Sequence, residues 1–448
     1  MQAAHLASHR FGYSQPQLQT LANDPRSWVL TQFERPAEFD TEGLIGSAKA
    51  WQITRDVLQA ALNPSTPPNT NPSQDALGPM TPARQVLRQT NLHGLGKRWQ
   101  HMAQTTTPVA ERWVQFWANH FCVAATKGAT LALVWPHEYE AIRPHAWGTY
   151  KALLRAAIVH PAMLLYLDNA QSIGPQSMAG RRRDRGLNEN LARELLELHT
   201  LGVKAGYTQD DVTQTAKLLT GWTVGPNTAG VARFMENLHQ PGKKTILGNT
   251  YPEGPQALDL LLTDLARHPA CADFMASKLC RHFVTDAPPV ALVQAVAAQF
   301  RRTDGDLKAV AVALFSHDLA WQEDLPPKFK RPEECMISAH RLMQKKVINV
   351  ENSANWVQTM GQAMARAPSP QGWPDLSADW LSPDAVIKRI QWAERYGELY
   401  GKDVDARDLM QQAFGPNLST STAQTIARAE SGAQALAFAL ASPELMRR

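Results

Sequence analysis

From Asn188 to Thr223 the chain reads NENLARELLELHTLGVKAGYTQDDVTQTAKLLTGWT, and its apolar residues recur at the spacing of two short amphipathic helices. The first runs from Glu189 to Leu201 with Asn188 as its cap, and Gly202 stands where such a helix ends in left-handed backbone. Counted at about 100° per residue, Leu191, Leu195 and Leu198 form one stripe, and Asn190, Glu194 and Glu197 fall within about 60° of one another on its flank. Thr208 with Asp211 three residues on opens the second helix as a capping box, and Val212, Ala216 and Leu219 are its inner face. Helices patterned this way must bury their stripes against other helices, and the same period recurs along most of the chain. The fold class that follows is all-α: a large array of packed helix pairs with long loops and at most a small β-hairpin. Only Phe234 to Asn249, with Gly242 and Gly248, carries a strand signal.

Length and charge narrow the alternatives. A chain of 448 residues, 44% hydrophobic and 19% charged, has the composition of a soluble globular protein, and no apolar run approaches the roughly 18 residues of a membrane span. The first thirty residues lack the apolar centre of a secretory signal, which predicts a cytoplasmic location. A net charge of +4 is nearly balanced and argues against a nucleic-acid partner. The one dense basic run, Arg181, Arg182, Arg183 and Arg185, reads as a solvated loop. Cys122, Cys271, Cys280 and Cys335 show no C-x-x-C spacing and read as reduced core residues. Thirteen tryptophans point to helix packing ahead of sugar-stacking surfaces.

Composition divides the chain into a helical segment at 1–62, a mobile Pro/Asn/Ser-rich loop at 63–82, a central helical region at 83–225, an extended loop or small hairpin at 226–255 and a C-terminal helical region at 256–448. A weak repeat marks helix pairs: His160-Pro161-Ala162, His268-Pro269-Ala270 and Ser442-Pro443 each end one apolar helix and begin another. Proline suits the first helical position, where its missing N–H has no partner to lose, and the residue before it is expected to cap.

Two segments carry candidate chemistry. In TPVAERWVQFWANHFCV, Thr107 reads as an N-cap and Pro108 as a first-turn residue, and Val109, Trp113, Phe116, Trp117 and His120 share a helical face. His120 is therefore a buried imidazole that needs a hydrogen-bond partner and is a candidate general base or metal ligand. On the signature helix, Glu194 borders the leucine stripe, where a carboxylate is partly desolvated and wants a partner. It is the candidate orienting carboxylate or second ligand for His120, with Asn190 as a polar positioner and Arg193 as a holder of an anionic substrate. Glu189, Arg193 and Glu197 also suit i, i+4 ion pairs on an exposed face. His199, about 140° from Glu194 on the same count, reads as a buried strut. A cofactor, if present, is one divalent metal ion on His120 and Glu194. The chain has no P-loop, no G-x-G-x-x-G after a strand, no H-E-x-x-H and no G-x-S-x-G, so nucleotide and serine-hydrolase chemistry are not expected. Glu197 is followed by a histidine at 199 and not at 200, which sets aside a di-iron bundle.

These residues resemble a bacterial family named for domain of unknown function 1800. The matching blocks are RFG at Arg10 to Gly12, WANHF at Trp117 to Phe121, HPAMLLYLDNAQS at His160 to Ser172, and NENLARELLELHTLGV with GYTQDDV and LLTGW. Weaker blocks follow: KLCRHFV at Lys278 to Val284, KRPEE at Lys330 to Glu334 and SPQGWPD at Ser369 to Asp375. Together they span nearly the whole chain in order, although the arginine-rich stretch before Asn188 is longer than the family pattern. The resemblance implies a large, mainly helical bacterial protein, often encoded near a second family that looks like sulfatases or phosphatases, and it implies no reaction. Two functions are expected. One is a hydrolase or metal-assisted enzyme with a pocket between the WANHF helix and the NENLARELLELHTLG helix. The alternative is a non-catalytic partner or maturation scaffold for the sulfatase- or phosphatase-like protein encoded nearby.

Overall fold

A computed structural model describes residues 1–62, 81–182, 186–225, 228, 230–345 and 349–448. The Pro/Asn/Ser-rich stretch lies outside these as far as residue 80, as do Arg183 and Arg185. The described residues form 21 α-helices and two antiparallel sheets of two strands each, so the chain is mainly helical, as expected. Lys244–Ile246 pairs with Asn249–Tyr251 around Leu247 and Gly248, both at positive φ, and a second small ladder joins Trp222–Thr223 to Arg233–Phe234. Among the described residues no helix is long and apolar enough to cross a membrane.

Proline does set the helix starts. His160 and His268 each accept a hydrogen bond at Nδ1 from the backbone N–H two residues on, Ala162 and Ala270, at 3.2 Å. Ser442 caps the third repeat through the N–H of Leu445 at 3.3 Å. Thr208 and Asp211 form the expected capping box. Thr107 departs from expectation: its hydroxyl accepts from the N–H of Ala37 at 2.9 Å, and Gln32 Oε1, reaching over from another helix, takes the N–H of Val109 at 2.8 Å. Long-range packing has replaced the local cap.

Two apolar cores result. The larger gathers side chains between Ala4 and Trp321, and the smaller is built mostly from residues 329–446, with Tyr13, Leu95, Trp99, Met102 and Trp135 added from the N-terminal half. None of the thirteen tryptophans is in the exposed class, as packing requires, and all four cysteines are buried and free.

Between the cores runs the Pro108–His120 helix, in which eleven of thirteen residues are buried. Its apolar face enters the larger core. The other face carries Glu111, Arg112 and Gln115, and burying them is tolerable only if each is paired. Arg143 donates twice to Glu111, at 2.7 and 2.8 Å, and twice to Glu138, at 2.7 and 3.0 Å. Arg98, from the Pro82–Gln104 helix, donates to Glu138 at 2.9 Å and closes the network on Glu333 of the Pro332–Leu342 helix, which also accepts from the Trp99 indole at 2.7 Å. Burial opposes ionisation of Glu111, yet the Arg143 guanidinium and the hydrogen bonds from Arg143 and His101 hold its carboxyl well below the usual range.

Two outcomes follow. Glu111→Ala leaves Arg143 short of its bidentate partner in a dry site and should destabilise the protein by about 3–5 kcal/mol, read as a lowered urea midpoint at unchanged m-value. Acid should act through the histidines. Burial pulls His282 and His340 down to about 4 and His199 to about 3. The unfolded chain therefore binds protons that the folded chain refuses between about 4 and the ordinary value near 6.5. Stability is full above that window and falls as pH drops through it, by about 1.4 kcal/mol per pH unit for each such histidine. Thermal melts between pH 7 and 4 would check the slope.

Candidate active site

The signature segment is an α-helix only from Asn190 to Leu196, after a turn in which Asn188 Oδ1 accepts the Asn190 N–H at 2.9 Å. From Glu197 to Leu201 it widens to a π-helix, with the Thr200 hydroxyl donating back to the Leu195 carbonyl at 2.6 Å. The count of 100° per residue fails from Glu197 onward for this reason. Gly202 ends the helix at φ 77° and ψ 160°, positive φ as expected but with an extended ψ that is essentially open to glycine alone. A Cβ there would lie 3.0 Å from the Phe274 ring.

That ending leaves the His199 carbonyl without an intrahelical donor. His120 Nε2 meets it at 3.3 Å, and the Tyr150 hydroxyl donates to it as well. A carbonyl only accepts, so the proton of His120 sits on Nε2 and its buried Nδ1 keeps a lone pair without a partner. Burial pulls His120 well below its ordinary value, and the ring is neutral.

The other sequence-predicted residues lie elsewhere on the helix. Asn190 is exposed and donates to Asp168 Oδ2 at 3.4 Å, and Asp168 pairs with Lys127 at 2.6 Å. Arg193 pairs with Glu189 at 3.6 Å, the expected i, i+4 contact, and donates to Gln209. Glu197 accepts from the Tyr207 hydroxyl at 2.9 Å. Glu194 is half-buried, and burial together with the Glu197 charge raises its carboxyl. Among the described residues no hydrogen bond or ion pair joins Glu194 to His120. Of the four candidates, His120 lines the cavity described next, and Asn190, Arg193 and Glu194 do not.

That cavity, of about 220 Å³, opens where the C-terminus of the Pro108–His120 helix meets Leu198 of the π-helical turn, the Pro269–Phe283 helix and the 371–379 loop. Phe116, Phe274 and Trp373 supply its apolar wall. Lys278, Arg281 and His282, at i, i+3 and i+4, present one face of the Pro269–Phe283 helix to it. His282 Nδ1 lies 2.8 Å from Asp375 Oδ1, with the imidazole 2% and the carboxylate 24% exposed. Burial would raise the Asp375 carboxyl, but His282, Lys328 and Arg331 hold it well below the usual range. An ionised Asp375 can only accept, so His282 carries its proton on Nδ1 and presents an unprotonated Nε2. That Nε2 is buried and has no partner.

Both halves of the pair are pinned. The His282 carbonyl accepts from Arg448 at 2.7 Å and from Arg112 at 3.3 Å, and the Asp375 carbonyl accepts from Lys328 Nζ at 2.7 Å. Asn119 of the WANHF block holds the loop by two reciprocal bonds to the Trp373 backbone, 2.8 Å to its N–H and 3.0 Å to its carbonyl. Such a pair can orient a water or substrate hydroxyl and remove its proton. Among the described residues no three His, Cys, Asp or Glu side chains gather as a metal site. Reasoning along single helices did not reach the dyad, because its members are 93 residues apart. The available signal was the pair of blocks KLCRHFV and SPQGWPD, which contain Lys278, Arg281, His282 and Asp375.

Gly372 makes the loop a sharp test. Its φ is +83°, and a Cβ would fall 2.4 Å from the Asn119 carbonyl oxygen and 2.7 Å from Oδ1. Gly372→Ala should cost about 2–3 kcal/mol by chemical denaturation, more than Gly206→Ala, where a Cβ would meet nothing.

Comparison with known proteins adds a family and no activity. No curated protein and no solved structure matches the chain. A family model described as a protein of unknown function, DUF1800, matches residues 6–447, and with nearly its whole length inside that match the chain belongs to this family.

Proposed function

We propose that the protein is a hydrolase whose general base is His282, working in the cavity between the WANHF helix and the π-helical end of the signature helix. The observation that carries this reading is the 2.8 Å contact of His282 Nδ1 with an ionised Asp375, which leaves Nε2 buried, unprotonated and unpartnered on a cavity wall. Asp375 is the orienting carboxylate: it fixes the tautomer and stabilises the imidazolium that forms when His282 takes a proton from water. His120, across the Phe116 ring from His282, is a positioning residue that anchors the helix end and the wall. Asn190, Glu194 and Arg193 stand outside this chemistry. In a metal-assisted form, His120 Nδ1 would be a ligand with Glu194 as the second. The dyad is preferred because, among the described residues, no hydrogen bond or ion pair joins His120 to Glu194 and no three His, Cys, Asp or Glu side chains gather as a metal site.

The reading is tested on a panel of p-nitrophenyl esters: acetate, phosphate and sulfate. His282→Ala should lower kcat/KM by about 10²–10⁴, and Asp375→Asn should do the same mainly through kcat. Because the base must be neutral and burial holds it at about 4, the rate should rise with pH through that value and stay level to neutrality. Wild-type rates in His282→Ala, or no turnover of any ester, would sink the proposal.

A second reading, a scaffold for the sulfatase- or phosphatase-like protein encoded nearby, is favoured by a run of exposed apolar side chains beginning at the cavity wall: Leu376, Leu381, Ile387 and Ile390, each at least 43% exposed. Co-purification with that protein, undiminished by His282→Ala and lost in Ile387→Asp, would select it.

A further inference from the structure

Buried cations in this protein are bonded almost everywhere. Arg98 and Arg143 meet carboxylates, Arg341 reaches the carbonyls of Met102, Ala103 and Thr105, and Lys328 binds Asp286 and the Asp375 carbonyl. Lys278 and Arg281, each partly exposed, are different. Both line the cavity beside His282, and among the described residues neither makes a hydrogen bond or an ion pair. Arg281 Nε is buried without a partner, and the Lys278 ammonium lies over the Phe274 ring, 5.5 Å from its centroid. Two carboxylates share the cavity wall. Asp375 is engaged by His282, and Asp379 is exposed and pairs with neither cation. Burial pulls Lys278 down to about 8, with the Asp375 charge opposing the shift and Arg281 adding to it.

We propose that Lys278 and Arg281 form an oxyanion receptor in this cavity, and that the substrate is an ester of a phosphoryl, sulfuryl or carboxylate-bearing group packed against Phe274 and Trp373. The inference rests on the reading of the cavity as a hydrolytic site. It adds the charge of the substrate and the residues that bind it. The guanidinium offers a fork of N–H donors to two oxygens, the ammonium a compact charge, and His282 Nε2 stands on the same helix face, one residue on from Arg281. An anion seated there leaves its scissile bond open to water activated at His282: the water oxygen bonds to the phosphorus, sulfur or acyl carbon, the bond to the ester oxygen breaks, and the proton taken by His282 passes to the departing alcohol.

Full-length protein would be titrated with inorganic phosphate and with sulfate, following total tryptophan fluorescence and calorimetric heat. Saturable binding is expected, weakened about tenfold by Lys278→Gln or Arg281→Gln and lost in the double variant. His282→Ala should bind phosphate within about twofold of wild type, and Asp379→Asn should bind it more tightly. Phosphate should also raise the Tm of the wild type and not that of the double variant, which separates lost binding from lost folding. No binding by the wild type, or equal binding by the folded double variant, overturns the proposal. If phosphate binds as described but no ester is turned over, the receptor stands and the hydrolase reading falls. If the acetate ester is turned over as fast as the phosphate and sulfate esters and the double variant changes none of them, the receptor falls and the hydrolase reading stands.

Discussion

Glu111, Arg112 and Gln115 lie on a helix that has almost no solvent face, and apart from the bond Gln115 donates to Glu111 their partners come from other parts of the chain. Arg143 and Glu138 come from the segment after the helix, Arg98 from the segment before it, and Glu333 and Glu334 from the smaller core more than 200 residues away. In a dry interior a charge without its partner costs far more than the pair contributes, so these groups do not tolerate small displacements. Joined end to end, they fix how the two cores sit against each other.

The cavity is built from the outer ends of that framework. Arg112 reaches the His282 carbonyl, Glu334 sits between Arg112, Arg331 and Arg448, and Arg448 returns to the same carbonyl. Asn119 and His120, at the C-terminal end of the same helix, hold the two loose pieces of the wall: the 371–375 loop through the Trp373 backbone, and the end of the signature helix through the His199 carbonyl. The WANHF block thus ties two pieces of the cavity wall together. The carbonyl of His199 needs a donor because the helix ends there, and a buried histidine supplies one while keeping a neutral ring.

Local patterns read well from the sequence where the physics is local. The helical class, the capping box at Thr208, the positive φ at Gly202, the His-Pro caps, the burial of the tryptophans and the Glu189–Arg193 pair each depend on residues within a turn or two. The π-helical turn did not follow from periodicity, because the extra residue per turn is imposed by Thr200 and by packing at Gly202. Thr107 lost its capping role to Gln32, which is 77 residues from Val109. The site is legible only by halves: the helical spacing places His120 inside beside two tryptophans, but it also points it at the signature-helix carboxylate, with which it makes no hydrogen bond or ion pair among the described residues.

By itself, then, the sequence determined that this chain is an array of helices, where most of them start, and that His120 and the leucine stripe are inside, since those properties follow from hydrophobic period and capping chemistry. Only the tertiary structure decided which polar groups meet. His282 and Asp375 come from distant segments, and among the described residues Lys278 and Arg281 make no hydrogen bond or ion pair. Pairing across the chain is set by how two cores dock around one buried ionic network, and no local pattern encodes that geometry.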